Sequence, residues 1–555
     1  MKLHPSKYSS IVVLLLIASG LFSCKKSLEQ YNPGGLTAEA VYSTPEGFET
    51  LVNAAYSYQR WWYGKEEGYC MTDPGTDIWD AGQAEPDPGL TDYLHLEGSD
   101  SYVTQLWQNL YAAVNVCNYG ITNIDKVGLA EDLKNTREAE LRFLRAFYYW
   151  HIVATWGAAP MPLKPTQGIE TTAVRTSVDS IYAQIFKDLN FADAHLPITT
   201  SDYGRATKPA AEALLARMDI TRGKNQEALD MANDVINNYG FHLIAHYADL
   251  WPMDKMAAAE DSEVIYAVNY TENLSLDDHK DPILFPYGHK RGGNNGHLDF
   301  LMKYDDQPGM QRSIEYGRPF VRFMPTKFLL DLFNDQIDSR YKGSFETVWY
   351  CNNQATAPAG MQLGDTAVLV TKAVVPESVR KSKLYRIYDI NDTYNQDGSI
   401  KDNQHFVQLK KFMDPTRSSI NEQISPRDVF VIRLAEMYLI AGEAEFKMNN
   451  LQKAADYINV VRERAALPGH KTDMDAKPAD ITLDFILDEY AREFAGEQLR
   501  WFVLKREGKL VDRVKAHNPD AGKNIQPYHV VRPIPQSQLD AVTNPDDFKQ
   551  NPGYQ

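Results

Sequence analysis

Cysteine is scarce in this chain: four in 555 residues, at positions 24, 70, 117 and 351, with no Cys-x-x-Cys pair among them. That spacing excludes a zinc ribbon and a thioredoxin-like dithiol. Short enzyme signatures are missing as well. There is no H-E-x-x-H, no G-x-S-x-G, no Walker loop and no G-x-G-x-x-G, so the common metalloprotease, hydrolase and nucleotide chemistries have no local motif to rest on. Positive charge is in deficit, with 57 Lys and Arg against 74 Asp and Glu and a net charge of −17. A nucleic-acid binder needs the opposite, a basic footprint that displaces counterions. Long hydrophobic runs are absent too: Ile11 to Ile17 gives seven apolar residues, far short of the ~20 that a spanning helix requires.

What is present is the composition of a water-soluble globular protein, 43% hydrophobic and 24% charged, with 32 tyrosines. Tyrosine packs a ring while offering a hydroxyl, which suits both helix packing and sugar-facing surfaces. Lys2 and Lys7, the apolar run and the small residues Ala18, Ser19 and Gly20 read together as a secretory signal over residues 1–23. It ends in "LFSC", which resembles a bacterial lipobox and marks Cys24 as the lipid-anchored residue. Lys25 and Lys26 follow, with Glu29 the only acid nearby. The remaining Cys70, Cys117 and Cys351 form either one disulfide of unassigned pairing or three buried thiols.

Helical periodicity dominates two stretches. Ser43, Thr44 and Pro45 open a helix that runs towards residue 60, Pro at the first turn being a regular start signal. Leu141, Leu144, Tyr148 and Ile152 form one apolar stripe, and "DSIYAQIFKDLNFADAHLP", "GRATKPAAEALLARMDI" and "NQEALDMANDVINNYG" continue the pattern, the last closed by Gly240. Residues 212–236 can be laid on 438–462 with a shift of 226, helix on helix and turn on turn, Ala228 falling on Ala454. Repeated helix pairs with a small residue at the crossing are the tetratricopeptide pattern. Residues 250–425 differ, rich in Gly, Pro, Asn and Asp with short apolar runs such as "EVIYAVNY" and "TAVLVTKAVV"; "NQDGSI" between "LYRIYDI" and "FVQLKKF" reads as a hairpin. The expected fold class is mainly α: tetratricopeptide-like helix pairs carrying a long irregular insertion with short β-hairpins. The chain divides into a signal (1–23), an N-terminal region (24–240) and a C-terminal region (241–555), the last two forming one compact unit.

Binding sites concentrate on irregular segments held by a rigid scaffold. Residues 61–100 are loop-like, rich in Gly, Pro and Asp, yet they carry Trp61, Trp62, Tyr63, Trp79 and Tyr93. Sugar rings stack their C–H faces on Trp or Tyr and need Asp, Asn or Arg at the edge, so Trp79 beside Asp77 and Asp80, and Trp61, Trp62 and Tyr63, are the candidate ligand contacts. Tyr287, His289, Arg291 and Asn294 supply an opposite wall. In "DEYAREFAGEQLR", Glu489, Glu493 and Glu497 stand at four-residue steps, a spacing that on a helix approaches glycosidase carboxyl geometry; with Arg492 and Arg500 interleaved they read as an ion-pair network. His242 and His246 share a face only in a helix, and their segment starts as an extended one. Arg142 and Arg145 beside Glu138 and Glu140 read as helix-locking charges. "NDTYNQDG" offers oxygens that a structural calcium ion could use, without EF-hand spacing; no other cofactor is expected.

Five segments together resemble the SusD/RagB family of outer-membrane nutrient-uptake lipoproteins: "EAELRFLRAFYYWHIVATWGAAPMP", "GRATKPAAEALLARMDI", "RDVFVIRLAEMYLIAGEAEFKMNNLQKAADYINVVRERA", "ILDEYAREFAGEQLRWFVLKREGKL" and "VRPIPQSQLDAVTNPDDFKQNPGYQ". Ala158 and Ala159 depart from the family's usual Asp-Val type pair, and Tyr490 stands where Arg is common. The resemblance implies a helical unit with a variable ligand-binding face, tied to the outer membrane through Cys24 alone and exposed at the cell surface. It implies a lid on a SusC-like TonB-dependent transporter, capturing a nutrient without catalysis. An oligosaccharide is the expected ligand and a peptide the alternative; a glycoside hydrolase is the remote third.

Overall fold

The computed structural model describes residues 38–271 and 293–554. Cys24, Tyr287, His289 and Arg291 lie outside them. The expected helix start is found: α1 spans Pro45–Ser57, with Thr44 accepting from the Gly47 N–H at 3.1 Å. Three long helices follow, α2 (Ser101–Asn123), α3 (Glu131–Trp156) and α4 (Val178–His195). Two hairpins complete the scaffold, α5 (Lys208–Thr221) with α6 (Asn225–Asn238) and α7 (Leu434–Lys447) with α8 (Leu451–Ala465).

The shift of 226 carries the start of α5 onto the start of α7 and the start of α6 onto that of α8. It also carries Gly223 onto Asn449, and both turns need the left-handed backbone, φ +72° and +64°. Glycine enters that region freely, and asparagine is among the few side chains that tolerate it. Gly442 sits where the second hairpin is tightest: a Cβ there would lie 2.7 Å from Ile458. Each helix from α2 to α8 packs on the next, including α6 on α7, so the scaffold is continuous although residues 239–433 intervene between those two.

The intervening part holds short strands. β2 (Val264–Val268) pairs antiparallel with β9 (Val429–Arg433), tying both ends of the insertion together. β5 (Val348–Tyr350) and β6 (Thr366–Val370) form a hairpin. The hairpin expected around Asp397-Gly398 does not form. β7 (Arg386–Tyr388) pairs in parallel with β6, and β8 (Gln408–Leu409) pairs with β4 (Phe345–Glu346). The turn itself survives, with the Asn395 N–H bonded to the Ser399 carbonyl at 2.9 Å. Its flanking apolar residues are buried against other strands, and that burial decides the pairing. The oxygens of "NDTYNQDG" serve the fold: Asp392 caps at the Asp389 N–H and pairs with Arg380, and Asp397 accepts from Ser399. Cys70, Cys117 and Cys351 are all buried and free.

Within 61–100, residues 61–81 are not a surface loop, and this overturns the stacking roles expected there. The segment threads the core as a two-turn helix, Glu66–Thr72, and β1 (Trp79–Ala81), which pairs with β3 (Phe323–Pro325). Trp79 is 0% exposed, Trp62 2%, Tyr63 3% and Trp61 6%. Trp79 meets Phe300 edge-on at 4.8 Å, and Trp62 meets His151 at 4.7 Å and lies parallel to Phe502. Asp77, also fully buried, accepts from Arg500 at 2.7 Å and Arg513 at 2.8 Å. Burial alone would raise its carboxyl, yet the two guanidiniums outweigh it and hold the group below its ordinary value. No ring face is left for a sugar.

The acidic run of α9 (Leu483–Phe494) is the ion-pair hub expected of it. Glu489 pairs with Arg340, Arg462 and Arg492; Glu493 with Arg340, Arg433 and Arg464; and Glu497, past the helix end, with Arg433 and Lys411. Arg500 turns instead to Asp77. Arg142 and Arg145 lock α3 to α4 by sharing Asp188. His242 and His246 stand exposed on a non-helical segment.

Glu493→Gln leaves three buried guanidiniums short of charge, and a broken buried pair costs about 3–5 kcal/mol. Burial pushes Glu493 up, but Arg464, Arg433 and Arg340 prevail and hold it at about 2. Its stabilising share is therefore complete above the unfolded carboxyl's range and disappears as pH falls towards 2. Denaturant unfolding of wild type and variant across pH should show their difference narrowing below about pH 4.5; a pH-independent difference contradicts the assignment. Trp79→Ala should lower the unfolding free energy by about 3–5 kcal/mol, as large core truncations do. A loss below about 1 kcal/mol would place that ring at the surface.

Candidate functional site

With the aromatic residues of 61–100 in the core, the site must be sought elsewhere. Asn294 is also removed from the candidates. It is 2% exposed, its backbone pairs with Ser425 at 3.1 and 2.8 Å, and its side-chain amide donates to the Arg427 carbonyl. It is a clamp within the insertion, and its amide is consumed by that clamp.

One exposed rim gathers four irregular segments. Its centre is Val321, a β-branched residue at φ +57°. That conformation is a genuine outlier for valine, and such strain persists only where the surroundings hold it. Here they do. The Val321 carbonyl accepts from Ala84 at 3.0 Å, the Arg322 carbonyl accepts from Gly82 at 2.7 Å, and the Arg322 N–H donates to the Asp299 carbonyl at 2.9 Å. Gly82 is required for this approach, since a Cβ there would lie 2.2 Å from the Val321 oxygen.

The strained turn lies next to Phe320, half-buried, which has two arginines close to its ring. The guanidinium carbons of Arg318 and Arg322 lie 5.2 and 5.1 Å from its ring centroid, within cation–π range. Arg322 is fixed, donating to Glu66 at 2.6 Å and to the Ala84 carbonyl at 2.6 Å. Arg318 donates through one nitrogen to the Asn421 carbonyl at 3.1 Å, and Arg312 reaches the Asn421 side chain at 3.3 Å. Gln83, exposed, is held by its N–H to the Asn403 carbonyl at 3.0 Å. Glu85 keeps one oxygen without a partner, and burial together with nearby Asp92 pushes its carboxyl up to about 7. Near neutrality that group both donates and accepts. The rim thus gathers a half-buried aromatic ring and planar polar groups, the residue types that a polyhydroxylated ring requires.

A second polar recess of about 410 Å³ lies by the end of β2, lined among others by Tyr56, Arg60, Arg205 and Asn269. Arg205 is held there by Glu49, Glu140 and Asp202, and Arg60 donates through Nε to the Asn269 carbonyl. The rim is the stronger candidate because it joins an aromatic ring to its arginines and carries the backbone strain at Val321. Its trace in the sequence is the composition of "GRPFVRF", an aromatic residue with an arginine two positions to either side.

Two family models match the chain. The SusD family model covers residues 306–554, and one described as "Starch-binding associating with outer membrane" covers 83–220. Together they take in more than half of the chain, and their ranges include the rim residues from Gln83 onward. Among curated relatives, a SusD-like protein of Formosa agariphila is 26% identical over 96% of this chain and 97% of its own length. The starch-binding protein SusD of Bacteroides thetaiotaomicron is 22% identical over 81% and 78%. Among solved structures, a laminarin-binding SusD-like protein superposes with a TM-score of 0.70 at 21% identity, covering 92% of this chain and 100% of that one. Surface glycan-binding protein A from Bacteroides fluxus gives 0.68 at 19% identity, with 92% and 100% coverage. The stacked helix pairs, the irregular insertion between them and these matches lead to one conclusion: the chain belongs to the SusD/RagB family.

Proposed function

We propose that this protein captures an oligosaccharide at the outer membrane and passes it to a SusC-like TonB-dependent transporter, without chemistry of its own. Phe320 stacks against a sugar ring, Arg318 and Arg322 donate to adjacent hydroxyls, and Gln83 and Glu85 complete the edge. Cys24 carries the lipid that holds the protein to the membrane; among the described residues no helix is long and apolar enough to cross one. The observation that carries the reading is the half-buried Phe320 ring with two arginines near it, beside the strained Val321 backbone. Relatives named for binding starch and laminarin support a glucan as the ligand.

Native gels containing laminarin, amylopectin or other polysaccharides test this. The wild type should be retarded by at least one glycan, and Phe320→Ala should weaken that binding about tenfold, or about 1.4 kcal/mol. Arg318→Ala should weaken it by a smaller factor, with both variants melting near the wild type. Absence of retardation by every glycan, combined with peptide binding, would sink the proposal, and so would an unaltered Phe320→Ala.

A further inference from the structure

A second cavity, of about 300 Å³, lies on the helical scaffold, lined by the C-terminal part of α3, the starts of α4 and α7, the end of α5 and the helix Arg500–Arg506. Its walls are mainly apolar, with Trp150, Val153, Ile220, Ile440 and Phe502 among them. The charged groups on the walls divide sharply. Arg217 is bidentate to Glu436 at 2.7 and 2.6 Å, Arg506 is bidentate to Glu443 at 2.6 and 2.7 Å, and Arg222 pairs with Asp179. Lys505 has no such partner: among the described residues it makes no ion pair. Its ammonium donates to the Ala154 carbonyl, one of the last carbonyls of α3, and lies 4.9 Å from the Trp501 ring.

The charge nearest to Lys505 in effect is another cation. Arg532 is fully buried, makes no ion pair among the described residues, and leaves two guanidinium nitrogens without a partner. Capping α3 uses one of the three ammonium donors, so two remain. An isolated cation beside an apolar hollow is costly unless an anion completes it. Burial, with Arg532 adding to it, pulls Lys505 down to about 7.

We propose that this cavity binds a small amphipathic carboxylate, its hydrocarbon body against Val153, Ile220 and Ile440 and its carboxylate on Lys505. The volume admits about ten water-sized groups, close to the heavy-atom count of octanoate. Apolar pockets with one or two placed polar groups are the usual form of small-ligand sites. The site is separate from the Phe320 rim and does not rest on the glycan reading.

Calorimetry on the full chain with octanoate, 1-octanol and octylamine tests it. Octanoate should bind at least tenfold more tightly than 1-octanol and octylamine more weakly still. Lys505→Met should reduce octanoate affinity at least tenfold and leave 1-octanol within twofold. Octanoate binding should also weaken from pH 7 to pH 9, as free Lys505 loses its proton, while 1-octanol binding stays constant. Phe320→Ala should leave octanoate unaffected. The proposal falls if wild type binds octanoate no better than 1-octanol or binds neither, a comparison that stands whether or not Lys505→Met folds. Unchanged octanoate affinity in a folded Lys505→Met overturns it equally.

Discussion

The rest of the structure hangs on a buried exchange of charge. Glu489 and Glu493 on α9, with Glu263 beside them, are fully buried, and so are Arg340 and Arg433; Arg464 lies 5% exposed at its side chain. Arg340 comes from the middle of the insertion, Arg433 from the strand that closes it, Arg464 from the last scaffold hairpin. The insertion is thus bolted to the helices at a point where neither half could leave its charges unpaired. Such a hub adds little net stability relative to an apolar core, but removing one member is severe. Its value is positional: it fixes which irregular segments lie against which helices.

Asp77 repeats the device at the other end of the chain. Its partners Arg500 and Arg513 lie 423 and 436 residues away in sequence. Pinning that aspartate in the core draws β1 inward, and the tryptophans travel with it. What comes to the surface is the next few residues, Gln83 to Glu85, beside the strained Val321 turn. The rim that presents Phe320 is in this sense a consequence of the clamp. The rings inside are a rigid support for the rim on which the proposed recognition rests.

Local patterns made the scaffold legible. Thr44-Pro45 marked a helix start, the apolar stripe of α3 was plain, and the shift of 226 anticipated two hairpins whose helix starts and turn residues correspond. The acids of α9 were legible as ion pairs because arginines stood among them. The site was far less so. Ring chemistry says what a tryptophan can bind, but whether it faces water depends on partners hundreds of residues distant, and nothing near Asp77 announces Arg500. The Asp397-Gly398 turn was readable while its strand partners were not, since pairing followed burial across the insertion. Val321 at positive φ has no sequence signal whatever, and it is the residue that aims Phe320.

The central claim is that the exposed rim, and not the buried tryptophans, meets the ligand. A crystal structure of the protein with the oligosaccharide that it retains most strongly tests this most directly. The account predicts a sugar ring over Phe320, hydrogen-bonded to Arg318 or Arg322, with the ring of Trp79 still packed on Phe300. A sugar stacked on Trp79, Trp61, Trp62 or Tyr63, with residues 61–100 drawn out of the core, would contradict it.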